Sequence, residues 1–233
     1  MKDVLTRIKA LVSKEAVAVE HLRCTEKELE EVRTSLAVSQ IQSHFLFNTL
    51  NTIRCLCRTD PKQAERAIES FTRYLRENMT LLTQRTPILF RQELDHLEYY
   101  LSIERLRFPD IVITYDIKAW DFVLPALTVQ PIVENAINHG VLGREWGGTV
   151  TVSSWEDESA YYVGVEDDGI GFEPEQLSDE EGLSGHVGIR NTRSRLKRVC
   201  GGDLILKSKP GKGTCATIII PRRGPNEGHS GGR

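Results

Sequence analysis

Residues 1 to about 58 contain neither Gly nor Pro, and their apolar positions recur at helical spacing. A heptad fits the first part. Ile8, Leu22, Leu29 and Leu36 take position a, with Glu15 interrupting; Val4, Leu11, Ala18 and Val32 take position d, with Thr25 and Ser39 as weak members. More than three such heptads predict a parallel dimeric coiled coil rather than a single amphipathic helix. The same helix runs into His44-Phe45-Leu46-Phe47-Asn48-Thr49-Leu50-Asn51. There Leu46, Leu50, Ile53 and Cys57 share one face, widened by Phe45 and Phe47, while His44, Asn48 and Asn51 form a narrow polar stripe. Asp60-Pro61 punctuates the chain. A second helix over 62–82 presents Ala64, Ala67, Ile68, Phe71, Tyr74 and Leu75 as its buried stripe. Two helices joined by a short turn make a hairpin, and two hairpins from two subunits make a four-helix bundle.

After a third helix over 91–108, the period changes from helical to alternating. Strands are expected over 111–117, 149–155 and 161–166, and a hairpin over 203–208 and 214–220 around Pro210-Gly211-Lys212-Gly213. Helices are expected over 126–139, with Pro125 near its start and Gly140 after its end, and over 187–200. The segment 172–186 reads as a loop. The fold class is therefore α+β: a signalling coiled-coil helix (1–40), a helical hairpin (41–86), a two-layer α/β sandwich (87–222) and a disordered tail (223–233).

Composition narrows the function classes. Hydrophobic content of 39% with 27% charged residues is that of a globular chain, and a net charge of -3 gives no reason to expect nucleic acid. No apolar run approaches the roughly 20 residues that span a bilayer, and Met1 to Ala10 lacks the apolar core of a signal peptide. The expected location is cytoplasmic, as a free protein or as the cytoplasmic part of a membrane sensor. Cys24, Cys55, Cys57, Cys200 and Cys215 are odd in number without CxxC spacing, so they read as free thiols.

Three motifs carry the candidate chemistry. Glu134-Asn135-Ala136-Ile137-Asn138-His139-Gly140 gathers oxygen and nitrogen donors on one helix; a neutral Asn oxygen suits a magnesium ion whose charge phosphates already meet. Glu166-Asp167-Asp168-Gly169-Ile170-Gly171 follows an apolar strand. A buried carboxylate there would accept a hydrogen bond from an exocyclic amine, and the glycines let the backbone approach a flat ring. Read alone, that stretch is equally a plain acidic turn. Gly185-His186-Val187-Gly188-Ile189-Arg190 opens a helix, where backbone N–H groups and the dipole suit phosphate, with Arg190, Arg193 and Arg195 adding charge. It has neither Walker A nor Rossmann spacing.

The order of these motifs resembles the Bergerat-type ATPase domain shared by histidine kinases, gyrase, MutL and related chaperones. HFLFNTLN over 44–51 resembles the phosphoacceptor motif of LytS-type sensor histidine kinases, and the resemblance covers roughly residues 36 to 221. It implies that His44 is the phosphorylated histidine and that Asn135 binds Mg²⁺. It also implies that Asp167, Gly169 and Gly171 form the adenine turn, and that Gly185 and Gly188 lie over the phosphates in a lid. Asn138, His139, Arg190, Gly213 and Thr214 complete the expected ATP site. Glu134 is the candidate for orienting the imidazole and accepting positive charge, because the position after His44 is Phe45 rather than an acid. Asn48 could orient water for the reverse reaction. The implied cofactors are ATP and Mg²⁺; the implied partners are a second copy and the aspartate of a response regulator. Three positions depart from the family pattern: Gln42-Ser43 stand where Asn-Pro is usual, His186-Val187-Gly188 where GxG is usual, and Asn138 where Lys is common. Two alternatives accompany this expectation. One is a nucleotide-gated interaction module without kinase activity, and the other a serine kinase of the anti-sigma-factor type.

Overall fold

The computed structural model describes residues 43–84, 86–173 and 187–222. The heptad segment, most of the loop before Val187 and the C-terminal tail lie outside the described residues, and so does Gly185.

The hairpin helices are α1 (Ser43–Thr59) and α2 (Pro61–Thr83). Asp60 caps α2: its side chain accepts the amide proton of Gln63 at 3.1 Å, and Pro61 starts the helix where no N–H is needed. On α1 the buried positions are Phe45, Thr49 and Ile53, whereas Phe47 and Leu50 are 69% and 53% exposed. The expected buried face of Leu46, Leu50, Ile53 and Cys57 is therefore rotated. On α2 the buried stripe is Ala64, Ala67, Phe71, Tyr74 and Asn78, and Ile68 lies outside it.

α3 (Phe90–Arg107) follows a short strand, β1 (Ile88–Leu89), which pairs antiparallel with β3 (Val123–Leu124). This small ribbon was not expected. The main sheet contains β2 (Ile111–Ile117), β4 (Gly148–Glu156), β5 (Ala160–Asp167), β6 (Asp203–Lys209) and β7 (Gly213–Pro221), in the order β2-β4-β5-β7-β6. β2 and β4 are parallel and the other pairs antiparallel. Val150, Val152, Val163, Val165, Ala216 and Ile218 point to the buried face, alternating with more exposed residues such as Thr151, Tyr162 and Thr217. Helices α4 (Gln130–Asn135) and α5 (Val187–Cys200) cover that buried face. No described helix is long and apolar enough to cross a membrane.

The fourth helix departs from expectation at both ends. It starts at Gln130 rather than Ala126, because residues 127–130 wrap around the buried carboxylate of Glu93 on α3. Leu127 and Val129 each donate an amide proton to it at 2.8 Å. Leu127 takes a left-handed conformation there, φ +56°. Beyond Asn135 the helix widens into a π turn, Ala136–Gly140, and then a short 3₁₀ turn, Val141–Gly143.

Candidate nucleotide site and phosphoacceptor helix

A cleft of about 470 Å³, open to solvent, lies between α4, the N-terminal end of α5 and the sheet. Its walls are Ile132, Asn135 and His139 from the α4 region, Ile189 from α5, and Leu206, Thr214 and Ala216 from the sheet; Asp167 lies among them. Most of the lining is apolar with a few polar groups, as a flat heteroaromatic base requires.

Asp167 ends β5 and is nearly fully buried. Its Oδ1 accepts the Gly169 amide proton at 2.9 Å, which aims the carboxylate. Burial raises its carboxyl above the usual carboxylate range, and the amides of Gly169 and Thr214 oppose that shift. The turn after it depends on absent side chains. A β-carbon on Gly140 would stand 2.5 Å from Asp167 Oδ1, and one on Gly169 would overlap the backbone of Gly140. Gly171 has φ +62°. Gly213, φ +83°, packs against the Asp167 carbonyl and shapes the same turn from the other strand.

Asn135 lines the cleft, and its amide nitrogen donates to the Pro131 carbonyl at 2.6 Å. That bond leaves the Oδ1 oxygen as its ligand atom, the type that Mg²⁺ prefers. No cluster of three or more acidic, His or Cys side chains that could hold a metal exists among the described residues. A metal here would therefore draw its remaining oxygens from phosphate and water. The first turn of α5 passes close by, since a β-carbon on Gly188 would lie 3.9 Å from Asn135 Nδ2.

The structure thus brings together Asn135, His139, Asp167, Gly171 and Thr214 around the cleft, with Gly169, Gly188 and Gly213 supporting it. It separates three other expected residues. Asn138 is exposed and off the lining. Arg190 is exposed and lines a shallow basic groove with Arg193, Lys197 and Arg198 on the outer surface of α5. Glu134, next to Asn135, is not among the residues lining the cleft. Its Oε1 accepts from Gln130 Nε2 at 2.6 Å, and burial pushes its carboxyl up to about 7, opposed by that bond and reinforced by Glu104.

Several contributors were not anticipated. Ile132, Phe172, Ile189 and Leu206 line the cleft. Glu93 and Arg195 clamp the loop before α4 from two sides, Arg195 donating to the Leu127 carbonyl. The sequence places Arg195 among residues adding charge beside the phosphate loop, but its guanidinium is held in that clamp, and burial lowers its pKa.

In the first turns of α1, His44 is exposed. Asn48 Nδ2 lies 3.1 Å from His44 Nδ1 and 3.0 Å from Nε2, so one amide donor serves whichever ring nitrogen carries the lone pair.

Residues 32–112 match the histidine kinase family model, and residues 122–224 match the model of histidine kinase-, DNA gyrase B- and HSP90-like ATPases. The chain is 36% identical to YwpD of Bacillus subtilis over 204 residues, 85% of this chain and 73% of that one. It is 36% identical to the sensor histidine kinase YpdA of Escherichia coli over 191 residues, 79% of this chain and 33% of that one. It is 31% identical to the sensor protein LytS of Bacillus subtilis over 215 residues, 87% of this chain and 36% of that one. The chain thus spans about a third of the length of those two sensor proteins. With both halves of the motif order matched, one model ending before the cleft and the other enclosing it, the chain belongs to the histidine kinase family.

Proposed function

We propose that this chain transfers the γ-phosphoryl group of ATP to His44 and passes it on to an aspartate of a response regulator. The observation that carries the reading is the Asp167 carboxylate, aimed by the Gly169 amide among apolar cleft walls. That arrangement suits an exocyclic amine of adenine. Asn135 Oδ1 is the proposed protein ligand of Mg²⁺, and His139 and Thr214 flank the nucleotide. Mg²⁺, when bound, neutralises phosphate charge; positioning and charge neutralisation supply most of the catalysis in such transfers.

The ring nitrogen of His44 that holds the lone pair forms the N–P bond. The bond from the γ-phosphorus to the bridging oxygen breaks, and ADP leaves. The other ring nitrogen then releases its proton. Glu134 is the proposed acceptor, since a carboxyl raised to about 7 is suited to take a proton near neutrality. Asn48 holds the imidazole, and the same amide suits the orientation of water for dephosphorylation. The exposed Phe47, Leu50, Ile68 and Met79 on the hairpin helices favour a homodimer through these helices, because large apolar side chains left in water fit burial by a second copy.

The test is labelling with γ-phosphate-labelled ATP. The label is expected to survive base, to be lost in acid, and to vanish in His44→Gln while ATP still binds. An acid-stable label that persists in His44→Gln moves the acceptor to Ser or Thr, and the serine-kinase alternative replaces this reading.

A further inference from the structure

Leu127 is the one non-glycine residue with a left-handed backbone among the described residues, φ +56°. Its amide donates to Glu93 Oε2 at 2.8 Å, and its carbonyl accepts from the Arg195 guanidinium. Glu93 comes from α3 and Arg195 from α5. Side chains of opposite charge, from two helices, therefore hold one peptide residue from its two sides. Neither of them lines the cleft.

The grip nevertheless reaches the cleft through both helices. Glu93 Oε1 accepts the Val129 amide at 2.8 Å and the Gln130 amide at 3.5 Å. α4 has no side-chain cap of its own, so Glu93 caps it from another helix. Asn135 closes the same short helix. On α5, Arg195 follows Gly188 by seven residues, two helical turns, and so lies on the same face. At Gly188 the two helices meet again: a β-carbon there would stand 3.9 Å from Asn135 Nδ2 and 3.9 Å from Pro131 Cβ. α4 and α5 are thus joined at two points, one beside the cleft and one off it.

Fold stability is a poor account of the second point. Glu93 is 0% exposed, and Arg195 Nε is buried without a hydrogen-bond partner. Charged groups taken out of water cost desolvation, and apolar side chains of similar volume are often at least as stabilising. A left-handed leucine is a further cost, of the kind that persists where the surroundings over-determine it. These costs meet at one residue, and the grip they maintain fixes one helix against the other.

We infer that Glu93 and Arg195 are positioning residues for the phosphate and metal end of the nucleotide: by gripping Leu127 from opposite sides they set the spacing between Asn135 on α4 and the first turn of α5. The inference rests on the proposed roles of Asn135 toward Mg²⁺ and of the start of α5 toward phosphate. The adenine turn is held separately, by Asp167 at the end of β5, the Gly169 amide and Gly213 of β7. Loss of the grip therefore acts on one end of the ligand and spares the other.

The experiment titrates the full chain calorimetrically with two ligands, ATP with Mg²⁺ and adenosine. Wild type is compared with Arg195→Met, Arg195→Lys, Glu93→Gln and the double variant Glu93→Gln/Arg195→Met, at a temperature below every melting transition. Arg195→Met is expected to bind ATP with Mg²⁺ about tenfold more weakly, the scale of one hydrogen bond to a charged group. Its adenosine affinity stays within about twofold of wild type, as for a site that shares no partner with the change. Arg195→Lys keeps a charge and a donor and regains part of the loss. The double variant is no weaker than the weaker single variant, because both release the same residue. Should Arg195→Met fail to fold, Glu93→Gln is read in the same way. A general loosening of the fold weakens both ligands together, so equal losses for adenosine and ATP overturn the inference. Unchanged ATP affinity overturns it too, and so do single effects that multiply in the double variant. If wild type binds ATP with Mg²⁺ no more tightly than adenosine, the phosphate and metal assignments fail and the inference with them. If wild type prefers ATP with Mg²⁺ while the variants lose both ligands alike, only the grip on Leu127 fails.

Discussion

Gly140 makes room for Asp167. A β-carbon at Gly140 would stand 2.5 Å from Asp167 Oδ1 and 2.7 Å from its Cγ, well inside contact distance. The two residues come from different motifs, 27 positions apart in sequence, and the missing side chain of one is what lets the other's carboxylate face the cleft.

Gly140→Ala therefore should act on nucleotide binding more than on the fold. The atom it meets is the tip of a short side chain, which can swing aside, whereas the sheet behind it is unaffected. ATP affinity is expected to fall by an amount similar to that in Asp167→Asn, roughly tenfold to 150-fold for a hydrogen bond to a charged group. Calorimetric titration with ATP on both variants checks this. Unchanged affinity in both would remove Asp167 from the adenine site.

The parts of this site that were legible in sequence are those held by local rules. β2 and α5 begin and end where the alternating and helical periods place them, and the other main-sheet strands extend only a residue or two further. Asp167 was singled out by the order of three motifs that resembles a known ATPase domain, since its own turn read alone is equally a plain acidic turn. Glu93 was not visible. Its partners Leu127 and Val129 lie more than 30 residues away, and no local pattern announces a cap supplied from another helix. For the same reason Pro125 and Ala126 read as a helix start. On α1 the hydrophobic pattern is apolar on more than one side, so it could not tell which side faces the chain's own interior. Phe45, Thr49 and Ile53 took that place, and Leu50 remained outside.

The loop before α4 offers a second test. Leu127 sits at φ +56° with its amide on Glu93, a conformation that costs most L-residues about 1–2 kcal/mol. Leu127→Ala and Leu127→Gly both remove the buried side chain, so the difference between them reports the backbone alone. Leu127→Gly is expected to be the more stable of the two by roughly 1 kcal/mol, the reverse of their order in a helix. Urea denaturation of the pair measures it. An alanine variant as stable as the glycine variant would mean that the loop does not hold Leu127 in this conformation.

The buried cluster around Tyr74, Glu134 and His96 also predicts how stability responds to pH. Burial pushes the Glu134 carboxyl up to about 7 from an ordinary value of 4.5, and burial takes the His96 imidazole down to about 4 from 6.5. The signs oppose each other. A raised carboxyl contributes stability that is fully present below pH 4.5 and is lost as pH rises toward 7, because the unfolded chain then ionises more readily. A depressed imidazole contributes stability that is fully present above pH 6.5 and is lost as pH falls toward 4, because the unfolded chain then takes up the proton. In wild type the two slopes largely cancel between pH 4.5 and 6.5. Each has a full amplitude of at most about 3 kcal/mol. Glu134→Gln leaves the His96 slope alone, so its stability relative to wild type should fall as the solution is acidified from 6.5. His96→Phe keeps an aromatic ring on Tyr74 and removes the buried imidazole, whose Nδ1 lies 3.6 Å from Glu77 Oε2, so its relative stability should rise on acidification over the same range. Carboxylates remote from the cluster contribute equally to all three proteins and cancel in the differences, whereas Glu104 beside Glu134 and Glu77 beside His96 add smaller coupled changes. Denaturant unfolding at pH 4.5, 5.5 and 6.5 reads the two tilts. If both variants shift stability by the same amount at every pH, neither group is held away from its ordinary range and the cluster is solvated rather than buried.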